Sequence, residues 1–451
     1  MTAKRFEGAV VVGSGISGLV TARVLSDYFA HVTVLERDPP PEGSAPRTGT
    51  PQSWHFHGLL PGGLLVLREL FPGFTEDLLD AGSLRPAPHE FYFFRPEGKS
   101  YLLGAYTPEP WADNGSRPIH VQTRGLLEST VRRRVAALDS VILRYRARVE
   151  DIVASAGRVT GVRLESGETI DAELVIDATG RGGRTVQWLE KLGFERPPED
   201  VIECDIAYTS VFMRPHDPSV FQDVGFFVAS HPARGGALVR MEQGLWLAAV
   251  SGRHGDYPPR DLAGFMSYAR SLDEPFFSDL LAQADAIAEP ASYRFQRSIR
   301  RRFELLERFP EGLLPIGDAV CHYNPLYGQG MTAACRQARA LQRILRERAD
   351  RPEGLREIFR DYLPEAYRET RAPWLFAAKS DFADPRCNGN FPSEEGELLP
   401  LLDHVLQRAG EGDEEALGLL LAIQSLIVPL EALRRSPWPE RAAAAHSGAD
   451  I

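Results

Sequence analysis

The chain has 451 residues, of which 43% are hydrophobic and 25% are charged, as is ordinary for a globular protein of two or three domains. Its formal net charge of −11 argues against nucleic acid as the main partner, because phosphate binding requires a basic surface. No run of about 18 apolar residues occurs, so we expect no transmembrane helix, and the first residues lack the apolar core of a signal peptide.

The first predicted element is a strand that leads through a glycine-rich turn into a helix. Residues 8–12 read GAVVV, and Gly13, Gly15 and Gly18 then match the pattern GxGxxG. The first glycine allows a tight turn, the second lets a pyrophosphate approach the backbone, and the third lets the helix pack closely. Helical spacing of apolar residues continues to Phe29. A helix N-terminus attracts phosphate, so this unit predicts dinucleotide binding.

The second predicted strand, HVTVLER, ends at an acidic residue. Glu36 lies 21 residues after Gly15, at the position where a carboxylate can bind a ribose diol. An acid at this place disfavours a 2′-phosphate, so the sequence indicates FAD or NAD rather than NADP.

Two later segments distinguish between these dinucleotides. In AELVIDATGRGGRT (172–185), a buried strand is predicted to end in a tight turn at Asp177 to Gly180, beside the nucleotide. In GLLPIGD, a short strand delivers Asp318, whose carboxylate can bind the hydroxyls of a long cofactor. The glycine-rich start of the next helix then offers free N–H groups. NAD needs no such third contact, so the pattern favours FAD.

These three motifs resemble those of the flavoprotein monooxygenases with the para-hydroxybenzoate hydroxylase fold. A narrower similarity, carried by residues 46–73, 321–331 and 372–387, is to bacterial flavin-dependent epoxidases of polyether biosynthesis. The resemblance implies an α/β fold, with a Rossmann-like FAD-binding domain of glutathione-reductase type, an inserted antiparallel β-sheet substrate domain and a helical C-terminal region. The cofactor-binding residues that it implies are Gly13, Gly15, Ser17, Gly18, Glu36, Arg37, Arg47, Arg124, Asp177, Gly180, Asp318, Pro325, Gly328, Gly330 and Met331.

Several of these residues have an alternative interpretation. By the resemblance, Arg124 lies near the cofactor phosphates and Arg47 beside the flavin, but a helix-start arginine and a surface loop charge are the alternatives. His322, Tyr323 and Asn324 are the candidate catalytic residues, and a packing role is equally compatible with each.

No metal site is predicted. His55 and His57 lie two residues apart without a third ligand nearby, which favours a structural pair at a helix start, with contact to the flavin or the substrate as the alternative. The four cysteines show no CxxC spacing, which indicates reduced thiols in a cytoplasmic protein.

The predicted FAD domain is discontinuous and comprises residues 1–80, 118–190 and 292–370. The predicted substrate domain comprises residues 81–117 and 191–291, and residues 371–451 form the helical region. Hairpins are expected about Ser166-Gly167 and at residues 242–244. The apolar segment LGLLLAIQSLIVPL is expected to cover the substrate pocket or to form a subunit contact.

The resemblance implies a monooxygenase that epoxidises or hydroxylates an apolar small molecule of secondary metabolism, such as a polyketide or terpenoid intermediate. O₂ would be the co-substrate, with oxygen transfer from a C4a-hydroperoxide of the flavin. Electrons would come from NAD(P)H, directly or through a separate flavin reductase. The separate reductase is included because the chain lacks, near DATG, the Ala/Gly-Asp-Gly motif that simple aromatic hydroxylases use for reduction by NADPH. The alternatives are a prenyl-chain or polyene reductase of the same fold, a flavin halogenase, whose WxWxIP signature is absent, and a non-catalytic flavin-binding protein.

Overall fold

The structure, a computed structural model, describes residues 5–45, 49–87, 90–95, 98–101, 119–230, 234–391 and 393–435. The helices are α1 (Ile16–Leu25), α2 (Pro61–Leu70), α3 (Phe74–Asp80), α4 (Arg124–Ala136), α5 (Thr185–Lys191), α6 (Leu262–Arg270), α7 (Pro275–Leu281), α8 (Gly330–Ala349), α9 (Ile358–Asp381), α10 (Leu399–Gly410) and α11 (Glu414–Gln424). The strands are β1 (Phe6–Val12), β2 (Phe29–Leu35), β3 (Phe91–Arg95), β4 (Gly98–Tyr101), β5 (Val141–Arg144), β6 (Val149–Ser155), β7 (Arg158–Leu164), β8 (Thr169–Asp171), β9 (Leu174–Asp177), β10 (Glu199–Pro215), β11 (Gly225–Ser230), β12 (Arg234–Arg240), β13 (Trp246–Arg253), β14 (Ala284–Ala286), β15 (Ala291–Arg301), β16 (Leu313–Pro315), β17 (Cys321–His322) and β18 (Asn388–Gly389).

The predicted strand–helix–strand unit, β1-α1-β2, belongs to a five-stranded parallel sheet in the order β16-β9-β1-β2-β5. The central strands are apolar and buried on both faces, as a covered parallel sheet requires. Val12 pairs with both Leu35 and Asp177, so the carboxyl ends of β1, β2 and β9 lie side by side. Residues that follow these strands therefore meet at one edge of the sheet, where open α/β sheets bind ligands.

The prediction that helical spacing runs to Phe29 was wrong. Helix α1 ends at Leu25, and Phe29 is instead the first residue of β2. Its ring is buried against Phe6 of β1, with ring centroids 5.2 Å apart. Phe29 stands at helical spacing from Leu25 because the strand that follows the helix also places an apolar side chain in the core.

The second sheet is ten-stranded and mostly antiparallel, with the main order β17-β15-β10-β13-β12-β11-β3-β4. Strands β14 and β18 both pair with β10, and β3 and β11 form a parallel pair within this sheet. The predicted hairpin at residues 242–244 is confirmed, because β12 and β13 flank it as antiparallel partners. The hairpin about Ser166-Gly167 is confirmed by the β7–β8 pairing in a separate three-stranded sheet.

Two predicted domain boundaries do not coincide with breaks between these elements. Strand β15 pairs with β10 over much of its length, so a boundary at 292 would divide the large sheet. Helix α9 is continuous through residue 370, where the C-terminal region was predicted to begin. The remaining division into domains stays a prediction.

The C-terminal helices α10 and α11 pack on each other and on α9 through a shared apolar cluster. No helix in the described ranges combines the length and the apolar character that a membrane crossing would need.

Candidate cofactor and substrate cleft

A cleft of about 1080 Å³ lies between the carboxyl edge of the parallel sheet and one face of the large sheet. Most of the predicted site residues line it. They are Gly13, Gly15, Ser17, Glu36, Arg37, Arg124, Gly180, Asp318, His322, Tyr323, Asn324, Pro325, Gly328, Gly330 and Met331. Gly18 and Asp177 do not line the cleft, and Arg47 lies outside the described residues.

The glycine pattern has a separate structural reason at each position. Gly13 has φ 108°, and a Cβ there would lie 2.5 Å from the carbonyl oxygen of Ala178. A Cβ on Gly18 would lie 1.9 Å from the carbonyl oxygen of Gly13, so this glycine serves the turn rather than the cleft. A Cβ on Gly15 would meet no protein atom within 4 Å, so the space above this residue is open. Gly15 is therefore the position where a ligand can approach the backbone.

The first turn of α1 can bind an anion. Gly15 caps the helix without a side-chain hydrogen bond, and the first turn has no acidic residue. The N-terminal N–H groups of a helix carry partial positive charge, so they attract a phosphate when no side chain satisfies them.

Glu36 lies at the end of β2 and is 7% exposed. Its Oε2 accepts hydrogen bonds from the Ser14 backbone N–H at 3.0 Å and the Ser14 hydroxyl at 2.7 Å. Its Oε1 accepts from the backbone N–H of Asp38 at 3.1 Å. These bonds fix a carboxylate at the edge of the cleft next to the α1 turn, which is where the sequence pattern places a ribose contact.

Asp177 was predicted to bind the cofactor, but it does not line the cleft. Its side chain is fully buried, and its carboxylate accepts hydrogen bonds from the backbone N–H and hydroxyl groups of Thr179 and Thr185, at 2.6 to 3.1 Å. Because both carboxylate oxygens are directed into this turn, Asp177 shapes the wall of the cleft and does not face a cofactor directly. Gly180, in the same turn, does line the cleft and has φ 77°.

The substitution Asp177→Ala is expected to lower the free energy of unfolding by about 3 kcal/mol, because it leaves buried N–H and hydroxyl donors without their charged acceptor. Urea denaturation of the cofactor-free protein would measure this loss. The exposed Asp171 of β8 is the control, and Asp171→Ala should change stability by less than about 0.5 kcal/mol. Equal stability of both variants would show that the Asp177 bonds contribute nothing net.

Arg124 is the first residue of α4 and is 9% exposed. Its Nη2 lies 3.5 Å from Glu128 Oε2, and its Nε has no hydrogen-bond partner among the described residues. Glu128 has a second cation, Arg132, at 2.6 Å. A buried guanidinium with an unused donor on the cleft wall fits an anionic ligand such as a pyrophosphate.

Asp318 and the start of α8 form another part of the cleft wall. Burial raises the pKa of Asp318, and the charges of Arg124, Arg181 and Arg301 oppose that rise. Helix α8 begins at Gly330 with no side-chain cap and no acidic residue in its first turn. Its free N–H groups can stabilise negative charge on a bound ring.

The three candidate catalytic residues differ in their surroundings. Burial, together with Arg181, lowers the pKa of His322 to about 3, so its imidazole is neutral. Burial raises the pKa of Tyr323, so its phenol stays protonated. Asn324 is 1% exposed, and its side chain donates to Asp381 and accepts from the Leu326 N–H. Both ends of the Asn324 amide are therefore occupied, which makes it a residue that holds the turn.

Sequence reasoning missed part of the aromatic wall. Tyr293 and Phe295 are the missed residues, and they line the cleft from the large sheet beside Tyr208. The Arg181 guanidinium lies 5.5 Å and 4.9 Å from the ring centroids of Tyr293 and Phe295. The alternation in the sequence of β15 was a usable signal, but the predicted boundary at 292 separated this strand from its sheet.

His55 and His57 lie in the segment between residue 54 and α2. The His55 Nδ1 lies 2.8 Å from the Ser210 hydroxyl, and its ring stands edge-on to Tyr208 with centroids 4.5 Å apart. The His57 Nδ1 lies 2.9 Å from the His55 carbonyl oxygen, so this nitrogen carries the proton. The His55 ring thus holds the segment against the large sheet. His57 also lines the cleft.

Stability should fall in mild acid because of His55. Burial lowers its pKa to about 4, against about 6.5 in an unfolded chain. Below pH 6.5 the imidazole of His55 binds a proton in the unfolded state, whereas in the folded state it binds one only near pH 4. The free energy of unfolding therefore decreases as the pH falls through this window. From pH 7 to pH 5 the loss attributable to His55 is about 2 kcal/mol.

Urea unfolding at both pH values would measure this effect. In His55→Gln the loss of stability between pH 7 and pH 5 should be smaller than in wild type by about 2 kcal/mol. His31→Gln is the control, because the side chain of His31 is 73% exposed, and it should lose as much stability as wild type. An unchanged pH dependence in His55→Gln would contradict the prediction.

Comparison with known proteins supports this geometry at the level of fold and family. Residues 11–59 match the family model described as an NAD(P)-binding Rossmann-like domain. Protein Rv3254 of Mycobacterium tuberculosis is 35% identical over 389 residues, which cover 83% of this chain and 80% of that protein.

Among solved structures, the flavin-dependent brominase Bmp2 is similar with a TM-score of 0.65 at 13% identity, over 98% of both chains. The tetrameric form of 2-methyl-3-hydroxypyridine-5-carboxylic acid oxygenase has a TM-score of 0.60 at 17% identity, over 84% of this chain and 92% of that one. An HpxO variant from Klebsiella pneumoniae, complexed with FAD, has a TM-score of 0.60 at 19% identity, over 83% of this chain and 88% of that one. The chain therefore belongs to the family of Protein Rv3254 and has the fold of the flavoprotein monooxygenases of para-hydroxybenzoate hydroxylase type.

Proposed function

We propose that the protein is an FAD-dependent monooxygenase that epoxidises or hydroxylates an apolar, unsaturated small molecule, such as a polyketide or terpenoid intermediate. The observation that carries the proposal is the continuity of one cleft from the uncapped start of α1, past Asp318, to the uncapped start of α8 and the aromatic wall. A long dinucleotide can satisfy these separate groups together, and an apolar substrate can pack against the aromatic wall.

In this proposal the residues divide into two sets. The α1 turn, Glu36 and Arg124 hold the ADP half, and Asp318 with the start of α8 holds the flavin half. When bound and reduced, flavin would supply the chemistry that activates O₂, and the protein would contribute orientation and the exclusion of water. The N–H groups of α8 would stabilise negative charge on the reduced ring.

The aromatic wall supports an apolar substrate. Tyr208 is 6% exposed, and its ring centroid lies 5.5 Å from that of Tyr293 with the ring planes tilted by 44°, while Phe295 is 1% exposed. Burial raises the pKa of Tyr208, so its hydroxyl remains neutral and protonated across physiological pH. The wall therefore brings neither a nucleophile nor a formal negative charge to the reaction, and its action is to place a carbon skeleton beside the cofactor.

The electron donor belongs to the proposal as well. NAD(P)H could reduce the cofactor directly or through a separate flavin reductase. Anaerobic mixing of the FAD-loaded protein with NADH or NADPH, with and without an added reductase, distinguishes these routes by the loss of flavin absorbance.

Three arms separate this function from its alternatives. FAD-loaded protein is reduced without oxygen and then mixed with a panel of alkenes and arenes, in the presence of O₂, of O₂ plus bromide, or of neither. Oxygenated product in the first arm supports the proposal, while brominated product only in the second arm would indicate a halogenase.

Saturation of an alkene in the anaerobic arm would indicate a reductase, and flavin binding without product in all three arms would indicate a non-catalytic protein. One observation disfavours halogenation: Lys191 and Lys379, the lysines whose side chains the structure describes, pair with Asp151 and Asp403, and neither residue lines the cleft.

A further inference from the structure

A buried carboxylate at the end of α9 joins three parts of the chain that are distant in sequence. Asp381 has no exposed surface. Its Oδ1 accepts hydrogen bonds from the Asn324 side-chain amide at 2.8 Å, the Tyr327 hydroxyl at 2.8 Å and Arg253 Nη1 at 2.9 Å. Arg253 also donates to the Tyr327 hydroxyl oxygen at 3.2 Å. The four side chains thus form one closed network.

The donors in this network have fixed roles. Burial, reinforced by the charge of Asp381, raises the pKa of Tyr327, so its hydroxyl keeps its proton and donates it to the carboxylate. Arg253 supplies the positive charge that a buried carboxylate needs. Because every bond in such a network depends on the others, loss of the central acceptor affects all of them together.

Two members of the network lie in the turn that leads into α8. The Asn324 backbone N–H donates to the Ser298 hydroxyl at 3.0 Å, and its side-chain oxygen accepts from the Leu326 N–H at 3.1 Å. The turn ends at Gly328, which has φ 66° and lines the cleft. Asp381 itself does not line the cleft, so it acts on the turn from behind.

The C-terminal helices contact the same region through a second, independent set of bonds. The Gln329 side chain donates to the carbonyl oxygen of Gln424 at 3.1 Å, and Arg336 Nη1 donates to that of Leu426 at 2.6 Å. None of the described residues from 371 to 435 lines the cleft. The segment LGLLLAIQSLIVPL, which was expected to cover the substrate pocket or to form a subunit contact, therefore does not line this cleft, and its apolar side chains belong to a cluster shared with α9 and α10. The subunit contact stays a prediction.

We propose that Asp381 is a positioning residue of the flavin site, which holds the turn 324–328 and the start of α8 in place through Asn324 and Tyr327. The proposal rests on the proposed function, because it requires that this turn borders bound flavin. The C-terminal region then supports the cofactor site from outside the cleft rather than closing over the substrate.

The test measures FAD affinity and the flavin absorption spectrum of purified full-length variants. Asp381→Ala removes the acceptor and should raise the Kd for FAD by about tenfold or more and shift the flavin absorption bands. Asp381→Asn keeps an oxygen that accepts from Asn324 and Tyr327, so it should restore the Kd to within about threefold of wild type. Rescue by this variant would distinguish positioning of the turn from a general effect of charge loss.

Asp384→Asn is the matched control, because Asp384 lies three residues beyond the end of α9, pairs with Arg386 at 2.7 Å and has no described bond to the turn. It should bind FAD as wild type does. If Asp381→Ala does not fold, Tyr327→Phe removes only the hydroxyl and should raise the Kd about threefold. A wild-type Kd and spectrum in Asp381→Ala or, failing that, in Tyr327→Phe would overturn the proposal. Wild-type protein without FAD affinity would instead refute the proposed function.

Discussion

Gly15→Ala is expected to weaken FAD binding by about 30-fold or more, which corresponds to about 2 kcal/mol, while leaving the cofactor-free fold intact. Gly15 has φ −71°, which alanine adopts readily, and its added Cβ would meet no protein atom within 4 Å. The methyl group would instead occupy the open space where a pyrophosphate approaches the helix start. Fluorescence titration of the cofactor-free protein with FAD measures the affinity, and urea denaturation measures the stability.

Gly18→Ala provides the contrast that makes this result specific. Its Cβ would lie 1.9 Å from the carbonyl oxygen of Gly13, so we expect a loss of stability of about 3 kcal/mol even without cofactor. Gly410→Ala is the control, since its Cβ is equally open but lies at the end of α10. Unchanged FAD affinity in Gly15→Ala would contradict the placement of the cofactor at α1.

Arg124→Met should also weaken FAD binding about 30-fold, because it removes a buried cation from the cleft wall while keeping much of the side-chain volume. The loss of folding stability should be small, since Glu128 retains Arg132 as an ion-pair partner at 2.6 Å. The affinity of Arg124→Met should also lose part of the salt dependence seen in wild type, because screening weakens a charge–phosphate contact.

Arg132→Met is the matched control for this prediction. Arg132 contacts the same carboxylate from the same helix but does not line the cleft. If both variants lose FAD affinity equally, the effect comes from Glu128 and the packing of α4 rather than from a contact with the cofactor.

The Rossmann unit was predictable from sequence because its constraints are local. Gly13, Gly15 and Gly18 act within one turn, and Glu36 follows the next strand, so spacing alone carries the geometry. Asp318 and the start of α8 were predictable for a similar reason, since a short apolar strand and a glycine-rich turn precede a long amphipathic helix.

Other side chains are held by partners that residue spacing does not reveal, some near in the chain and some far away. Asn324 lines the cleft as expected, but its side chain is bound by Asp381, 57 positions later. Asp177 stood at the end of a strand where ligands bind, yet two threonine residues of the next turn take its carboxylate. Sequence patterns show which residues are polar at an edge, but tertiary contacts decide which of them remain free.

The aromatic wall illustrates the same limit for the large sheet. Tyr208 and Tyr293 are separated by more than 80 positions in the chain, and only the antiparallel register of β10 with β15 makes them direct neighbours. Alternation within each strand could be read from the sequence, whereas the pairing of the two strands could not.

Single turnover with ¹⁸O₂ tests the central claim most directly. FAD-loaded protein, reduced anaerobically and mixed with ¹⁸O₂ and a panel of apolar alkenes and arenes, should yield a product whose mass is increased by one ¹⁸O atom. The amount of this product should exceed that in a sample with free reduced FAD and no protein. Peroxide release equal to that of free flavin, with no labelled product from any substrate in the panel, would contradict the assignment as a monooxygenase.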